Sequence, residues 1–221
     1  MNKVGVFVQA RLNSRRLPGK MLEKISGKTI LELSLRAARE IKADVYALLT
    51  TKEDYPFFKE IARKQKYEII VGPVDNVLER FVLAINKFKV DVVVRVTGDK
   101  IILADSFINE QISFIENYDS VTYEEPPLIS VTGGVFKASA LLKAYDTIHD
   151  IKCLEHVKPC IDMIEGNKKI LEVPEYLKKF KKDITIDTRE DLFFMRRMFN
   201  DLYKGYPIYF VRAYDWISIR Q

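Results

Sequence analysis

Twelve residues near the N-terminus, Gln9-Ala10-Arg11-Leu12-Asn13-Ser14-Arg15-Arg16-Leu17-Pro18-Gly19-Lys20, hold three arginines, one lysine and one serine. They follow a valine-rich run, Val4 to Val8, that reads as a buried strand. Guanidinium forks and a lysine point charge complement a triphosphate, which offers many acceptor oxygens and a high negative charge. Gly19 would permit close backbone approach, and Pro18 would stiffen the loop. The run lacks the GxxxxGK[ST] spacing of a Walker A loop. The plainer alternative is a basic loop turned to solvent.

Two further segments end in acidic residues. Val92-Val93-Val94 with Val96 is a β-branched run that leads into Thr97-Gly98-Asp99, and Asp99 there serves either a ligand or a turn cap. Ile184-Thr185-Ile186 reads as a brief strand before Asp187-Thr188, a pair able to cap the helix expected from Glu190 to Leu202.

The elements that must carry these residues alternate between strand and helix. Thr29 with Glu32 makes a capping-box pattern, and Ile30, Leu33, Ala37, Ala38 and Ile41 recur at helical spacing. Val45 to Leu49 reads as a strand, Asp54 as the start of a helix through Phe57, Phe58, Ile61 and Ala62, and Ile69 to Val71 as a strand. Asp75 starts a helix carrying Val77, Leu78, Phe81, Val82 and Ile85. Four such units predict an α/β fold with a mostly parallel, doubly wound sheet. Ligands of such sheets bind beyond the carboxyl ends of the strands, where the loops 9–20 and 97–105 fall. Beyond these units, Asp119 to Tyr123 and Val131 to Phe136 read as strands, Ser139 to Tyr145 as a helix, and the tail from Tyr206 to Ile219 as a terminal strand. One domain spanning 1–221, with a small insertion near 119–170, is the expected organisation.

The chain has 221 residues, 48% hydrophobic and 30% charged, which suits a globular protein with a real core. A formal charge of +5 favours anionic partners. The basic run Lys178-Lys179-Phe180-Lys181-Lys182 is short and reads as a solvated face, so no nucleic-acid partner is expected. No apolar run reaches the roughly 18 residues of a membrane span. Arg11, Arg15 and Arg16 interrupt the point where a signal peptide would continue, so a cytoplasmic location is expected. Cys153 and Cys160 are expected to be free thiols. His149, Cys153, His156 and Cys160 are spaced like zinc ligands, but one helix cannot wrap four ligands around a tetrahedral ion, and Pro159 disturbs the turn.

The pattern A-R-x-x-S-x-R-L-P-G-K resembles the nucleotide-binding loop of sugar-activating cytidylyltransferases, the superfamily of CMP-KDO synthetase and acylneuraminate cytidylyltransferase. Within it, the chain is most similar to the spore-coat polysaccharide SpsF group. Asp75, Val77-Leu78 and Arg80 resemble that group's D-V-L-x-R stretch, and Val94 to Asp99 its V-R-x-T-G-D motif. Glu155-His156-Val157 with Pro159 resembles E-H-V-T-P, and Asp187-Thr188 with Glu190-Asp191-Leu192 resembles D-T-P-E-D-[LF]. The resemblance implies a GT-A-like nucleotide-diphospho-sugar transferase fold. It further implies that Arg11, Arg16 and Lys20 hold the triphosphate of CTP, with Ser14, Arg80 and Thr97 also at the nucleotide. The backbone of Gln9 and Ala10 would face the base. Asp99 and Asp187 would hold Mg2+, and Arg11, Lys20 and Asp99 would carry the chemistry. His156 would face a sugar-type acceptor. CMP transfer would release pyrophosphate and feed surface polysaccharide synthesis, with 119–170 as the interface of a homodimer.

The chain departs from the family after Asp99. Lys100-Ile101-Ile102-Leu103-Ala104-Asp105 stands where Pro-Leu-Ile-Asp usually follows, and Thr132 to Phe136 lacks acids that the SpsF group often carries nearby. Lys100 would bind a phosphate, replace a second cation or point to solvent. These departures keep two other readings open: a glycosyltransferase on the same fold that consumes a nucleotide sugar, and a non-catalytic nucleotide-binding protein.

Overall fold

Successive side chains of a strand point to opposite faces, so an unbroken apolar run must feed two cores at once. The computed structural model describes residues 2–220 apart from 126–127, 151–153, 155, 179 and 181. In β1 (Val4–Gln9), Val6 and Val8 enter one core and Phe7 a second core on the other face. In β6 (Val92–Thr97), Val92, Val94 and Val96 enter the first and Val93 the second. In β4 (Val45–Thr51), Leu48 faces one way and Ala47 and Leu49 the other. Each large aliphatic side chain so buried contributes roughly 1.5–3 kcal/mol.

β1 pairs in parallel with β4 and β6, and β4 with β5 (Glu68–Gly72). Beyond β6 the direction changes. β8 (Gly134–Lys137) runs antiparallel to β6 and to β7 (Ser120–Thr122), and β7 pairs in parallel with β9 (Lys168–Ile170). The seven-stranded order is β5-β4-β1-β6-β8-β7-β9, mostly parallel as expected. A small antiparallel hairpin, β2 (Lys24–Ile25) with β3 (Lys28–Thr29), lies outside it.

Helices cover both faces. α1 (Ile30–Ala38), α2 (Tyr55–Lys64) and α4 (Asp105–Phe114) send Leu31, Phe58 and Ile108 into the first core. α3 (Val77–Phe88) sends Leu78 and Phe81 into the second. A helical turn, α5 (Leu128–Val131), precedes β8, and α6 (Ala138–Thr147) and α7 (Lys158–Met163) pack Leu141 and Ile161 into the second core. α8 (Arg189–Leu202) and α9 (Phe210–Ser218) close the first core with Met195, Phe199 and Trp216.

Several expectations need correction. The tail is helix α9, not a strand: Phe210, Ala213, Trp216 and Ile217 are buried at helical spacing, so tertiary packing overrides the β-branched and aromatic composition. Ile184 to Ile186 forms no strand; Thr185 N donates to Asp183 Oδ1 at 2.8 Å, a local turn that competes with pairing. The expected strand from Val131 starts only at Gly134, because Thr132 N and Oγ1 both close the α5 turn on the Leu128 carbonyl. α3 is capped by Asn76, which accepts from Glu79 N at 2.9 Å, not by Asp75. Cys160 is buried and disulfide-bonded rather than a free thiol, and Cys153 lies outside the described residues. A disulfide sulfur is no zinc ligand. Val157, at φ 36°, also precedes α7 with non-helical backbone, so the His/Cys spacing does not lie along one regular helix.

Candidate active site

β1 and β6 are neighbours in the sheet although α1, α2 and α3 separate them in sequence, so the crevice beyond their carboxyl ends is a switch point of the fold. Gln9 pairs with Thr97, and Gly98 N donates to the Gln9 carbonyl at 2.8 Å. A Cβ on Gly98 would meet Ala10 Cβ at 2.9 Å and Met21 Sδ at 3.1 Å, so glycine lets the two strand exits touch.

The cationic loop is built on these exits. Ala10 N donates to the Leu49 carbonyl at 3.0 Å, and the Leu12 carbonyl accepts from both Ser14 N and Gly19 N at 2.9 Å. Leu12 N donates to Asp54 Oδ2 at 3.1 Å. Asp54 therefore opens α2 without capping it by its side chain and holds the loop instead. Leu17 is buried beneath the loop, and Gly19 takes φ 72°, which turns the chain into Lys20.

A cavity of about 320 Å³ opens at this edge. From the loop it is lined by Gln9, Ala10, Arg11, Ser14, Arg16 and Lys20; from α3 by Arg80; from the end of β6 by Thr97 and Asp99. His156, just before α7, and Asp187, just before α8, complete it, so the residues given nucleotide, metal and acceptor roles by the resemblance all line one cavity. Arg15, Met21, Val77 and Gly98 also line it; Arg15, Val77 and Gly98 lie in the matched stretches but were given no site role, and Met21 lies just beyond the loop pattern.

Charge is unevenly solvated here. Lys20 is 4% exposed, and its ammonium donates to Asp99 Oδ2 at 2.7 Å, Asp187 Oδ1 at 2.9 Å and the Ile186 carbonyl at 2.6 Å. Arg16 Nη2 lies 2.7 Å from Asp187 Oδ2. Burial pushes the Asp99 carboxyl up, but Lys20, Thr97 and Lys100 outweigh it and hold the group below its ordinary value. Among the described residues, Asp99 Oδ1 is buried without a hydrogen-bond partner. Asp187 stays out of the helix cap: Thr188 and Asp191 form the capping box of α8 between themselves.

Among the described residues Arg80 is the largest fully buried side chain, and its Nε and Nη1 have no hydrogen-bond partner. Burial, then the charge of Arg11, brings its pKa down to about 10, against the pull of Asp54. A Cβ on Gly72 would stand 2.6 Å from Arg80 Cγ, so that glycine makes room for the guanidinium stem. Arg95 on β6 is a support that sequence reading left without a role: its Nε donates to Gln9 Oε1 at 3.0 Å. Lys100 is not among the lining residues; its ammonium donates to the Thr132 carbonyl, and burial followed by Arg95 lowers its pKa to about 8.

The family comparison agrees with this architecture. The model of the cytidylyltransferase family matches residues 6–208. The chain is 32% identical over 197 residues to the uncharacterized protein MJ1063 of Methanocaldococcus jannaschii, covering 86% of this chain and 80% of that one. It is 27% identical over 205 residues to the spore coat polysaccharide biosynthesis protein SpsF of Bacillus subtilis, covering 86% and 84%. Its fold superposes on a cytidylyltransferase from Leptospira borgpetersenii with a TM-score of 0.89 at 22% identity, over 100% of this chain and 95% of the other. A CMP:2-keto-3-deoxy-manno-octonic acid synthetase solved with CTP gives 0.70 at 14% identity over 90% and 99%. With the motif residues gathered at the edge where such sheets bind ligands, and the family match running from β1 past α8, the chain belongs to the cytidylyltransferase family.

Proposed function

We propose that this protein transfers CMP from CTP to a hydroxyl or phosphate oxygen of a sugar-type acceptor, with release of pyrophosphate, in the assembly of a surface polysaccharide. The observation that carries this reading is the cavity that joins the cationic loop and Arg80, with two buried nitrogens that lack a hydrogen-bond partner among the described residues, to two aspartates. The SpsF relative, named for polysaccharide biosynthesis, and the synthetase solved with CTP support the choice of nucleotide and acceptor class.

In this reading Arg11, Arg16 and Lys20 bind the triphosphate and Ser14 positions it. Arg80 and Thr97 contact the nucleotide, the Gln9–Ala10 backbone faces the base, and His156 faces the acceptor. The donor set fits a hard divalent cation: Asp99 offers a buried, unpartnered oxygen and Asp187 a second carboxylate close by. Two carboxylates plus phosphate oxygens meet the preference of Mg2+. Such a cation supplies charge neutralisation at the phosphates.

The acceptor oxygen forms a bond to the α-phosphorus, the bond to the bridging oxygen breaks, and pyrophosphate leaves with the electron pair. A hydroxyl acceptor gives its proton to water. The protein's part is to align these atoms and to place fixed positive charge where negative charge grows. The first test is thermal stabilisation by CTP, UTP, GTP and ATP with and without Mg2+. Selective stabilisation by CTP, larger with Mg2+, is expected; none by any triphosphate would remove the proposal. Pyrophosphate release with candidate acceptors then separates transfer from mere binding.

A further inference from the structure

Lys20 has three protons to donate, and all three are committed. They go to Asp99, Asp187 and the Ile186 carbonyl at 2.6–2.9 Å. No donor remains for a phosphate while this arrangement holds. The same ammonium stands between the two carboxylates that a divalent cation would need, so ion and ammonium exclude each other there. Arg16 repeats the pattern, with Nη2 on the second oxygen of Asp187. Two loop cations and two aspartates thus neutralise one another pair by pair.

We propose that Lys20 and Arg16 act as exchangeable counter-cations of the Asp99–Asp187 site. They release the two aspartates to a divalent cation and cross to the triphosphate in the same event. This rests on the nucleotidyl-transfer reading above and gives Lys20 a second, positioning role within it. Either component alone meets opposition. A divalent ion approaching the aspartates faces the Lys20 ammonium, and a triphosphate approaching the loop must take its cations from the carboxylates. Together they give the aspartates a divalent ion and the triphosphate the two loop cations, so cation and triphosphate favour each other's binding, and the coupling is reciprocal. The loop is built for such a change. Arg16 is 65% exposed at its side chain, and Gly19 has open space where a Cβ would stand. The Lys20 stem is buried, so its head moves by side-chain rotation over a fixed backbone. The unpartnered Asp99 Oδ1 is a ligand atom that Lys20 does not satisfy.

The test titrates Mn2+ alone, without nucleotide, and follows free Mn2+ by electron paramagnetic resonance. Wild type, Lys20→Met and Arg16→Met are compared. Lys20→Met is expected to bind Mn2+ about tenfold more tightly than wild type, because the ammonium no longer competes for the carboxylates. Its melting temperature should also rise more with Mn2+ than that of wild type. Arg16→Met, at an exposed position, should shift affinity in the same direction by a smaller factor. A lysine that were merely structural would give weaker or unchanged Mn2+ binding on removal. Unchanged or weaker binding in both variants overturns the exchange. If Lys20→Met does not fold, Arg16→Met decides: tighter binding supports the proposal and unchanged binding overturns it. Because no nucleotide is present, the outcome is independent of CTP recognition. Failure of wild type to bind CTP with Mg2+ would count against the function and against the crossing of the two cations to a triphosphate, not against their competition with the divalent ion for the aspartates.

Discussion

At the scale of single residues, the buried charges of this protein are held at a cost that a ligand can relieve. An unsatisfied buried donor costs about 1–3 kcal/mol, and Arg80 carries two such nitrogens. Arg80→Met keeps the apolar stem and removes the head with its two unsatisfied nitrogens. Its ligand-free melting temperature is expected to hold or rise, while CTP affinity falls by about 1.5–3 kcal/mol, the value of a charge-assisted bond. Differential scanning calorimetry and isothermal titration read the two effects, and a parallel loss of both would show that Arg80 serves packing alone. Lys20→Ala is expected to weaken triphosphate binding by a similar roughly 1.5–3 kcal/mol. Unchanged affinity would remove Lys20 from the phosphates. The Lys20 and Arg16 pattern was legible in sequence as cationic chemistry. Its pairing with Asp99 and Asp187 was not, because residues some 79 and 167 positions away supply the partners.

At the scale of elements, two devices set the geometry of the cavity. The capping box of Thr188 and Asp191 fixes the start of α8 and leaves Asp187 just ahead of it. Thr188→Ala should cost about 1 kcal/mol of stability by denaturant unfolding, and a loss near zero would mean that packing alone holds that end. Gly98 lets the exits of β1 and β6 meet. Gly98→Ala would press on Ala10 and Met21, and it is expected to reduce CTP affinity while far-ultraviolet dichroism stays unchanged. Strand and helix identity in the first hundred residues could be read from periodicity, since Val6, Val8 and Phe7 alternate between cores as the pattern requires. The tail could not: Trp216 and Ile217 carry strand-like composition, and only their packing in the first core makes them helical. Asp54 was readable as a helix start, whereas its bond to Leu12 N depends on two strand exits coming together.

At the scale of the whole molecule, a formal charge of +5 and a cation-lined cavity attract anionic substrates over a distance that salt shortens. The apparent affinity for CTP is therefore expected to fall as ionic strength rises; insensitivity to salt would place the net charge outside recognition. No described helix is long and apolar enough to cross a membrane. The change of direction between β6 and β8 has a wider effect. Because β8 runs antiparallel, it begins at the edge where β6 ends, with Gly134 opposite Arg95. One rim therefore receives chain leaving β1, β4, β5 and β6 and chain arriving at β8. The arriving stretch, from α5 to Gly133, touches the outgoing loop through Ala104 N on the Val131 carbonyl and the Lys100 ammonium on Thr132. It belongs to no parallel strand unit, so it can change in length or chemistry without shifting the register of the four strands beside it. The molecule thus carries a grip set by the parallel strands and a jaw set by the antiparallel one on a single rim, and a change in the second leaves the register of the first intact.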